Sequence, residues 1–204
     1  RQMCIRDRIN SEVLSQVPQL QLISKFGVGL DNIDFVGIHE FSIAFAWKSG
    51  VNRRSVAELA LSFVLLSLRK SYVANQQLKS GTWKPVIGGQ LTGKTVGIIG
   101  CGHIGKDLIQ LLKPFDCRFL VNDIVYDEKF CSEYSLQKSN LENLLKTSHV
   151  VSLHVPLNST TRGFINRERI DSLKPGAILV NTARGGLVDE VALKERLKEG
   201  TLFA

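Results

Sequence analysis

The chain of 204 residues is 44% hydrophobic and 22% charged, which is enough apolar content for a folded core and excludes a disordered protein. Its net charge of +7 comes from basic residues that are scattered without a nucleic-acid-binding motif, so we expect no nucleic-acid partner and a basic surface that attracts anionic substrates. The longest apolar stretch, residues 59–68, is too short to span a bilayer, so we expect no membrane partner. The four cysteines show no metal-ligand spacing, and no secretory signal precedes them. We therefore expect reduced thiols, no metal and a cytoplasmic location.

Residues 1–8 differ from the rest of the chain because they show no periodicity, no capping signal and no apolar face. We interpret them as a segment that is not native to the protein and leave them out of the fold. The alternative is a genuine segment of a longer N-terminal region.

From Ile9 onward, helical and strand-like segments alternate. The pattern predicts a helix over residues 10–17, a strand over 20–26, a helix over 33–39 and a strand over 43–47, with glycine or proline in the turns between them. A long apolar helix follows. Ser55 and Glu58 have the spacing of a capping box, which predicts that this helix begins at Ser55, and we expect it to run to about Tyr72. Residues 81–93 form a glycine-containing connection to the next strand.

The most informative motif is an apolar strand that runs into a glycine turn and then a helix. Gly100 would make the tight turn, Gly102 would let a pyrophosphate approach the backbone, and Gly105 would let the helix pack closely on the strand. The helix N-terminus offers N–H groups to the phosphates. A second apolar run, residues 117–122, ends at Asp123, where a carboxylate would accept the ribose hydroxyls and favour NAD over NADP. The alternative is a structural glycine turn followed by an incidental aspartate.

The alternation continues to the end of the chain. The patterns predict a helix over residues 141–146, a strand over 150–155, a helix over 167–173, a strand over 177–182, a helix over 190–198 and the start of a further strand at Thr201. Strands separated by helical segments are typical of βαβ units. We therefore predict an α/β fold with a doubly wound parallel sheet of the Rossmann type.

Five further segments, in matching order along the chain, resemble the NAD-dependent D-isomer-specific 2-hydroxyacid dehydrogenases. They are residues 26–34 (FGVGLDNID), which resemble the substrate loop, 55–59 (SVAEL), the start of the domain-crossing helix, 151–157 (VSLHVPL), the adenine-side strand, and 174–177 (KPGA) with 181–189 (NTARGGLVD), the signature around the active-site arginine. Together with the glycine fingerprint, the resemblance covers essentially all of residues 9–204.

The resemblance implies an oxidoreductase that transfers a hydride between NAD and the C2 carbon of a D-2-hydroxy or 2-keto acid, with 3-phosphoglycerate as a candidate substrate. It implies that residues 9–52 are part of a smaller, flavodoxin-like substrate-binding domain and that residues 53–204 are a Rossmann NAD-binding domain truncated at its C-terminus. The family's catalytic glutamate and histidine lie on segments beyond the strand that begins at Thr201. We therefore expect the chain to be an inactive fragment of a protein that forms a homodimer when full length.

The resemblance also implies the site residues. Arg184 is the expected catalytic residue, because its planar guanidinium can hold the carboxylate and keto oxygens together; the alternative is an arginine that caps a strand end through a local ion pair. The residues expected to bind the cofactor are Gly100, Gly102, His103, Ile104, Gly105, Asp123, His154, Val155, Pro156, Thr182 and Ala183. Those expected to bind the substrate are Lys25, Gly27, Val28 and Gly29, with Arg53 and Arg54 as further candidates. For these three basic residues the alternative is a solvated surface position.

None of the four histidines is expected to be the catalytic base. His103 would give its backbone N–H to the pyrophosphate, His154 would line the cofactor pocket, and His39 and His149 are interpreted as surface or packing residues. The alternative function is an NAD-sensing regulator or corepressor on the same scaffold. The enzyme is favoured because Arg184, the substrate loop and Asp123 are all present and no interaction segment is visible.

Overall fold

The structure is a computed structural model in which residues 8–204 are described. The chain divides into two units between Asn52 and Arg53. Apart from Arg8, the segment that we interpret as non-native lies outside the described residues, as does Cys4. Over residues 8–204, no helix has both the length and the apolar character that crossing a membrane requires.

In residues 8–52 the chain forms two short helices and two short strands. They are α1 (Ser11–Ser15), β1 (Leu22–Ser24), α2 (Phe35–Glu40) and β2 (Ala44–Ala46). The strands pair in parallel, and the Asn10 and Asp34 side chains cap the two helices by accepting first-turn N–H bonds. The core of this unit is formed by Leu14, Ile33, Ile38 and Ile43. All four predicted elements are present, and each is shorter than its apolar pattern.

In residues 53–204 the chain forms seven helices and six strands. The helices are α3 (Arg53–Arg69), α4 (Ser71–Lys79), α5 (His103–Leu112), α6 (Glu128–Glu133), α7 (Leu141–Thr147), α8 (Arg167–Asp171) and α9 (Glu190–Lys198). The strands are β3 (Thr95–Ile99), β4 (Arg118–Asn122), β5 (Gln137–Lys138), β6 (Val150–Leu153), β7 (Ala177–Asn181) and β8 (Leu202–Phe203). Short 3₁₀ turns occupy Lys113–Phe115 and Gly185–Leu187.

The six strands of this unit form one parallel sheet in the order β5-β4-β3-β6-β7-β8. The chain builds the sheet outward from β3 to β5 and then returns to the other side of β3 to add β6, β7 and β8. The point where this order reverses lies between β3 and β6. The doubly wound parallel sheet predicted from the sequence is confirmed.

Helices cover both faces of this sheet. On one face, Val96 and Ile98 of β3 pack in a core with buried residues of α3 and α5. On the other face, Ile99 packs in a core with buried residues of α7, α8 and α9. At Gly97 a β-carbon would lie 2.5 Å from the Leu144 Cδ2 atom, so the absence of a side chain lets α7 approach the centre of the sheet.

The start of α3 differs from the sequence prediction. The helix begins at Arg53, so Ser55 lies inside its first turn and not at its N-cap. The capping-box interpretation of Ser55 and Glu58 is therefore wrong. The spacing of the two residues fits such a box, but the helical conformation starts two residues earlier.

The end of α3 also differs from the prediction, because the helix stops at Arg69 and Lys70 adopts a left-handed conformation with φ of 52°. The Leu68 carbonyl, which a continuing helix would need, accepts a 2.8 Å hydrogen bond from the Gly89 N–H. The connection passes very close to the helix here, since a β-carbon at Gly88 would lie 2.7 Å from the Cα of Arg69. The predicted single helix to residue 72 is thus two helices, α3 and α4.

Candidate functional site

Four of the residues predicted to bind the cofactor follow neighbouring strands at the carboxyl edge of the sheet. In order across the sheet, the strands β4, β3, β6 and β7 end at Asn122, Ile99, Leu153 and Asn181, which are register partners. The next residues are Asp123, Gly100, His154 and Thr182. Neighbouring strands lie about 4.8 Å apart, so this row extends over about 14 Å. The order of the sheet reverses within the row, and open α/β sheets bind ligands at such a point.

Gly100 makes the turn that ends β3, and only glycine fits there. Its φ is +93°, and a β-carbon would lie 2.8 Å from the carbonyl carbon of His154 and 2.9 Å from the nitrogen of Val155. Its N–H donates to the Asn122 carbonyl at 2.9 Å. The turn is therefore in close contact with the backbone that leaves β6.

Gly105 and Gly102 have opposite surroundings. A β-carbon at Gly105 would lie 2.3 Å from the Gly100 carbonyl oxygen, so α5 packs directly against the turn. A β-carbon at Gly102 would meet no atom within 4 Å. Gly102 is the N-cap of α5, a helix of ten residues that begins at His103. Because glycine has no side chain, it offers no side-chain cap to the first-turn N–H groups of the helix, which include those of His103 and Ile104. This is the geometry that a pyrophosphate at a helix N-terminus requires.

Asp123 holds the glycine turn from the neighbouring strand. Its Oδ2 atom accepts a hydrogen bond from the Cys101 N–H at 2.5 Å. Its Oδ1 atom accepts from the N–H groups of Ile124 at 2.6 Å and Val125 at 3.2 Å. The half-buried carboxylate thus lies beside the turn and keeps lone pairs for a further donor such as a hydroxyl.

Two buried polar atoms in the row have no hydrogen-bond partner in the part of the chain that the structure describes: Nδ1 of His154 and Oγ1 of Thr182. The other ring nitrogen of His154, Nε2, lies 2.9 Å from the Ser152 hydroxyl. Burial lowers the pKa of His154 to about 4, so the imidazole is neutral near pH 7. Buried polar atoms normally have partners, and a ligand with polar groups at this edge would provide them.

The segment after His154 is fixed by its own contacts. Val155 packs against the core on the α7–α9 side of the sheet. The Pro156 carbonyl accepts a 2.6 Å hydrogen bond from the Thr161 hydroxyl, which ties the loop that follows. Both residues after His154 are therefore held by contacts within this unit.

Arg184 lies beyond Thr182 and is positioned by Asn181, the last residue of β7. The Asn181 Nδ2 group donates to the Arg184 carbonyl at 2.8 Å, and its Oδ1 atom accepts from the Ala183 N–H at 3.1 Å. The half-buried Arg184 guanidinium donates through Nη1 to the Ala183 carbonyl at 2.8 Å. Asn181 is a positioning residue that the sequence analysis missed. An amide side chain at the end of a strand, as the first residue of the arginine signature, is the signal that identifies it.

The predicted substrate loop lies in the first unit and follows β1. Lys25 is half-buried, and its backbone N–H donates to the Ala46 carbonyl at 2.9 Å. Gly27 has a φ of +99° with open space around its Cα, and the Val28 carbonyl accepts from the Trp47 indole at 3.2 Å. Gly29 follows Val28 in this loop. The backbone of the loop is therefore held at Lys25 by Ala46 and at Val28 by Trp47.

Arg54, a further substrate candidate, has a structural partner within the second unit. Its Nη2 atom lies 3.0 Å from Oδ1 of Asp107, whose side chain is only 6% exposed. The pair links α3 to α5 and neutralises a buried carboxylate. Arg53 is exposed at the start of α3.

Cys101 lies inside the glycine turn. Burial raises its pKa to about 11, so the thiol is neutral and places no negative charge beside the turn. Cys101, Cys117 and Cys131 are free thiols in the structure. In residues 8–204, no group of three or more histidine, cysteine or acidic side chains has the arrangement of a metal site.

A family model described as "D-isomer specific 2-hydroxyacid dehydrogenase, NAD binding domain" matches residues 61–204. The chain is 37% identical over 199 residues to the hydroxypyruvate reductase of Thermotoga maritima, which covers 97% of this chain and 64% of that protein. It is 34% identical over 199 residues to the D-3-phosphoglycerate dehydrogenase of Archaeoglobus fulgidus, which covers 97% of this chain and 38% of that protein. The chain therefore spans less than two thirds of the length of these relatives.

The fold is similar to a crystal structure of the TT0316 protein from Thermus thermophilus. The TM-score is 0.89 and the identity is 35%, over 97% of this chain and 63% of that one. The two named relatives are a reductase and a dehydrogenase, which disfavours the regulatory alternative.

Proposed function

The chain belongs to the D-isomer specific 2-hydroxyacid dehydrogenase family, and we propose that it forms the cofactor-binding part of an enzyme that transfers a hydride between NAD and C2 of a D-2-hydroxy or 2-keto acid. The observation that carries this proposal is the row of Asp123, Gly100, His154 and Thr182 at the reversal point of the sheet, with Arg184 two residues beyond it. We assign cofactor binding to residues 53–204 and substrate binding to residues 9–52.

The residues of the row fit NAD. The open space over Gly102 and the N-terminus of α5 at His103 and Ile104 would hold the pyrophosphate. Asp123 would accept a ribose hydroxyl with its remaining lone pairs, and its charge would repel the 2′-phosphate of NADP. His154 and Thr182 would gain partners for their buried polar atoms. When bound, NAD supplies the hydride acceptor or donor at C4 of its nicotinamide ring.

Arg184 would bind the substrate. Its guanidinium can donate parallel hydrogen bonds to a carboxylate and a neighbouring keto oxygen, which fixes the substrate and polarises its carbonyl. The two hydrogen bonds of the Asn181 side chain support this role because they hold the backbone of Ala183 and of Arg184 itself. The backbone of Gly27, Val28 and Gly29 would contribute N–H donors to the substrate carboxylate, as in an anion-binding nest.

Proton exchange with the substrate requires a base, for which a histidine paired with an acid is suited. Neither His149 nor His154 is bound to a carboxylate: Nδ1 of His149 accepts from the Thr95 N–H, and Nε2 of His154 lies beside the Ser152 hydroxyl. We therefore propose that neither is the base. This chain would then bind NAD and contribute Arg184 without completing the acid–base step.

The substrate within the class is a finer proposal. The relatives above carry the names of hydroxypyruvate and 3-phosphoglycerate enzymes, so the family alone does not choose between a small and a phosphorylated acid. We propose 3-phosphoglycerate as the first candidate because Lys25 is next to the Gly27 loop. The ion pair of Arg54 with Asp107 removes Arg54 from the residues that support this choice.

Calorimetric titration of the chain with NADH and NADPH tests the cofactor assignment. We expect NADH to bind more tightly than NADPH. We also expect no loss of NADH absorbance with hydroxypyruvate, glyoxylate or pyruvate, and no reduction of NAD with 3-phosphoglycerate. Absence of NADH binding would contradict the cofactor proposal, whereas turnover would show that the base has been misplaced.

A second titration tests Arg184. Oxamate, a stable analogue of a 2-keto acid, would be added to the chain saturated with NADH. Arg184→Gln should abolish oxamate binding and leave NADH binding intact. Arg167→Gln removes the same charge from a surface arginine that pairs with Glu195 and is the control. Equal oxamate binding in both variants would exclude Arg184 from the substrate site. The expected homodimer stays a prediction, which sedimentation velocity would test.

A further inference from the structure

A pocket lies at the amino edge of the same sheet, at the opposite end of β3 from the glycine turn. Its volume is about 330 Å³. Its walls include Thr95 and Arg118 at the starts of β3 and β4, Asn143 and Thr147 of α7, and His149 and Lys174, which precede β6 and β7. Thr95 and Ile99 are the two ends of β3, so this pocket is about 13 Å from the glycine turn along the strand.

The pocket is basic and has no negative charge of its own. Among the described residues that line it, none is acidic. Neither Arg118 nor Lys174 has a carboxylate partner in residues 8–204, although other lysines of this unit, such as Lys106 and Lys146, do. Arg118 donates through Nη2 to the Thr95 hydroxyl at 3.1 Å, which holds its guanidinium at the pocket. Two cationic side chains thus line this pocket, and no described residue of its walls supplies a counterion.

The hydrogen bonds of His149 add a specific requirement. The Thr95 N–H can only donate, and it donates to Nδ1 of His149 at 3.1 Å. In the neutral imidazole the proton must therefore be on Nε2. Nε2 lies 2.9 Å from the Lys174 ammonium, which also can only donate. Two donors consequently face each other.

Protonation of the ring does not remove this conflict. The partial burial of His149 and the neighbouring Lys174, Lys94 and Arg118 lower its pKa, so the ring stays neutral near pH 7. A hydrogen-bond acceptor with negative charge would satisfy both donors and also neutralise the cations. The pocket lacks such a group among its own described side chains.

We propose that this pocket binds a phosphoryl oxyanion, either the free ion or the phosphate of a small ester. Lys174, Arg118 and the Nε2–H of His149 would donate to its oxygens, and the polar side chains of Asn143 and Thr147 line the same space. A doubly charged oxyanion matches two cations and offers enough acceptor positions for all these donors. The volume leaves room for a small organic group on one oxygen.

Titration with inorganic phosphate, followed by the NMR signals of the Thr95 amide and the His149 ring, tests the proposal. NADH would be present in excess to occupy the glycine turn. We expect saturable shifts of both signals. Lys174→Gln and Arg118→Gln should each weaken phosphate binding by about tenfold, which is the loss of one charge-assisted hydrogen bond. Lys198→Gln removes the same charge from an exposed position of α9 and should have no effect.

Glycerol 3-phosphate in a parallel titration distinguishes the two sources of the phosphoryl group. Shifts of the Thr95 and His149 signals with glycerol 3-phosphate would show that the site accepts esters. Shifts with inorganic phosphate alone would show that it takes the free ion. Shifts confined to Gly102 and His103, or equal weakening by Lys198→Gln, would overturn the proposal.

The structural alternative is that Lys174 only stabilises the end of α7, where its backbone N–H lies 3.3 Å from the Leu145 carbonyl. In that case Lys174→Gln and Arg118→Gln would leave phosphate binding unchanged. Urea unfolding of each variant shows whether it is folded. Because Arg118 is exposed at the start of β4, its variant keeps the test decisive if Lys174→Gln does not fold. Thr95 and His149 lie at the opposite end of β3 from the glycine turn, so their signals report on this pocket even if NADH does not bind.

Discussion

The Asp123 carboxylate accepts a 2.5 Å hydrogen bond from the Cys101 N–H, which joins the end of β4 to the middle of the glycine turn. The same carboxylate is the group expected to distinguish NAD from NADP. One side chain would therefore have two roles: it holds the turn on which the pyrophosphate would lie, and it would present a negative charge toward the ribose. A substitution at this position should change both the strength and the selectivity of cofactor binding.

Asp123→Ala is expected to weaken NADH binding by about tenfold or more, because it removes a charged hydrogen-bond acceptor for the ribose and releases the turn. NADPH should lose less, since the repulsion of its 2′-phosphate is also removed. Calorimetric titration of both nucleotides measures the two effects. Glu133→Ala removes the same charge from an exposed position on α6 and should leave both affinities unchanged. An unchanged ratio of NADH to NADPH affinity in Asp123→Ala would remove Asp123 from the ribose site.

Gly100 and Gly102 provide a matched pair of substitutions, because only one of them is enclosed. Gly100→Ala combines a φ of +93° with a β-carbon 2.8 Å from the His154 backbone, so it should destabilise the fold by about 2 kcal/mol or more. Gly102→Ala places a methyl group in open space and should change the unfolding free energy by less than about 0.5 kcal/mol. It should nevertheless weaken NADH binding, because the methyl group would occupy the place of the pyrophosphate. Urea unfolding and calorimetry separate the two effects.

The result that would contradict this assignment is a Gly102→Ala variant that is stable and binds NADH like the unsubstituted chain. The open space above Gly102 would then not be the phosphate site. A stable Gly100→Ala variant would show that the backbone after β6 moves more easily than the close contact indicates.

The sequence predicted those elements whose apolar residues repeat clearly. The five residues of β3 are all buried, and α9 has the predicted bounds, Glu190–Lys198. α6 and β5 were not predicted, because Cys131 is the one buried residue of α6 and both residues of β5 are exposed, so neither shows an apolar pattern. The start of α6 depends on the side chain of Asp127, which accepts a 3.1 Å bond from the Phe130 N–H.

The positions of Gly100 and Gly105 could be predicted because a β-carbon at either would collide with neighbouring backbone. The additional role of Asp123 could not, since its contact with Cys101 depends on the register of β3 with β4. The break at Lys70 was missed for a similar reason: it depends on the distant Gly88 and Gly89 passing the end of α3. Both the contact of Asp123 with Cys101 and the break at Lys70 are set by packing between elements, which the sequence pattern of a single element does not contain.

The pair of Arg54 and Asp107 is such an interaction and makes a stability prediction. Arg54→Met should destabilise the chain by about 1–2 kcal/mol, because it leaves a buried carboxylate without its cation; half of the Arg54 side chain is exposed, which limits the effect. Arg54→Met with Asp107→Leu should recover most of the loss. A double-mutant cycle from urea unfolding measures the coupling. Additive effects would show that the pair does not stabilise the contact between α3 and α5.

His154 should make the stability of the second unit depend on pH. Its pKa in the folded chain is about 4, below the ordinary value of 6.5, so the unfolded chain takes up this proton first as the pH falls. Stability should therefore decrease from about pH 6.5 to pH 4, by up to about 3 kcal/mol in total. His154→Gln should flatten this part of the profile, measured by urea unfolding at several pH values.

The variant should keep a smaller decrease in the free energy of unfolding with falling pH, because the pKa of His149 is also lowered. Carboxylates with lowered pKa, such as Asp127, act below this range. An identical profile in His154→Gln would show that the ring is solvated in the folded chain and does not provide a buried neutral group for the cofactor.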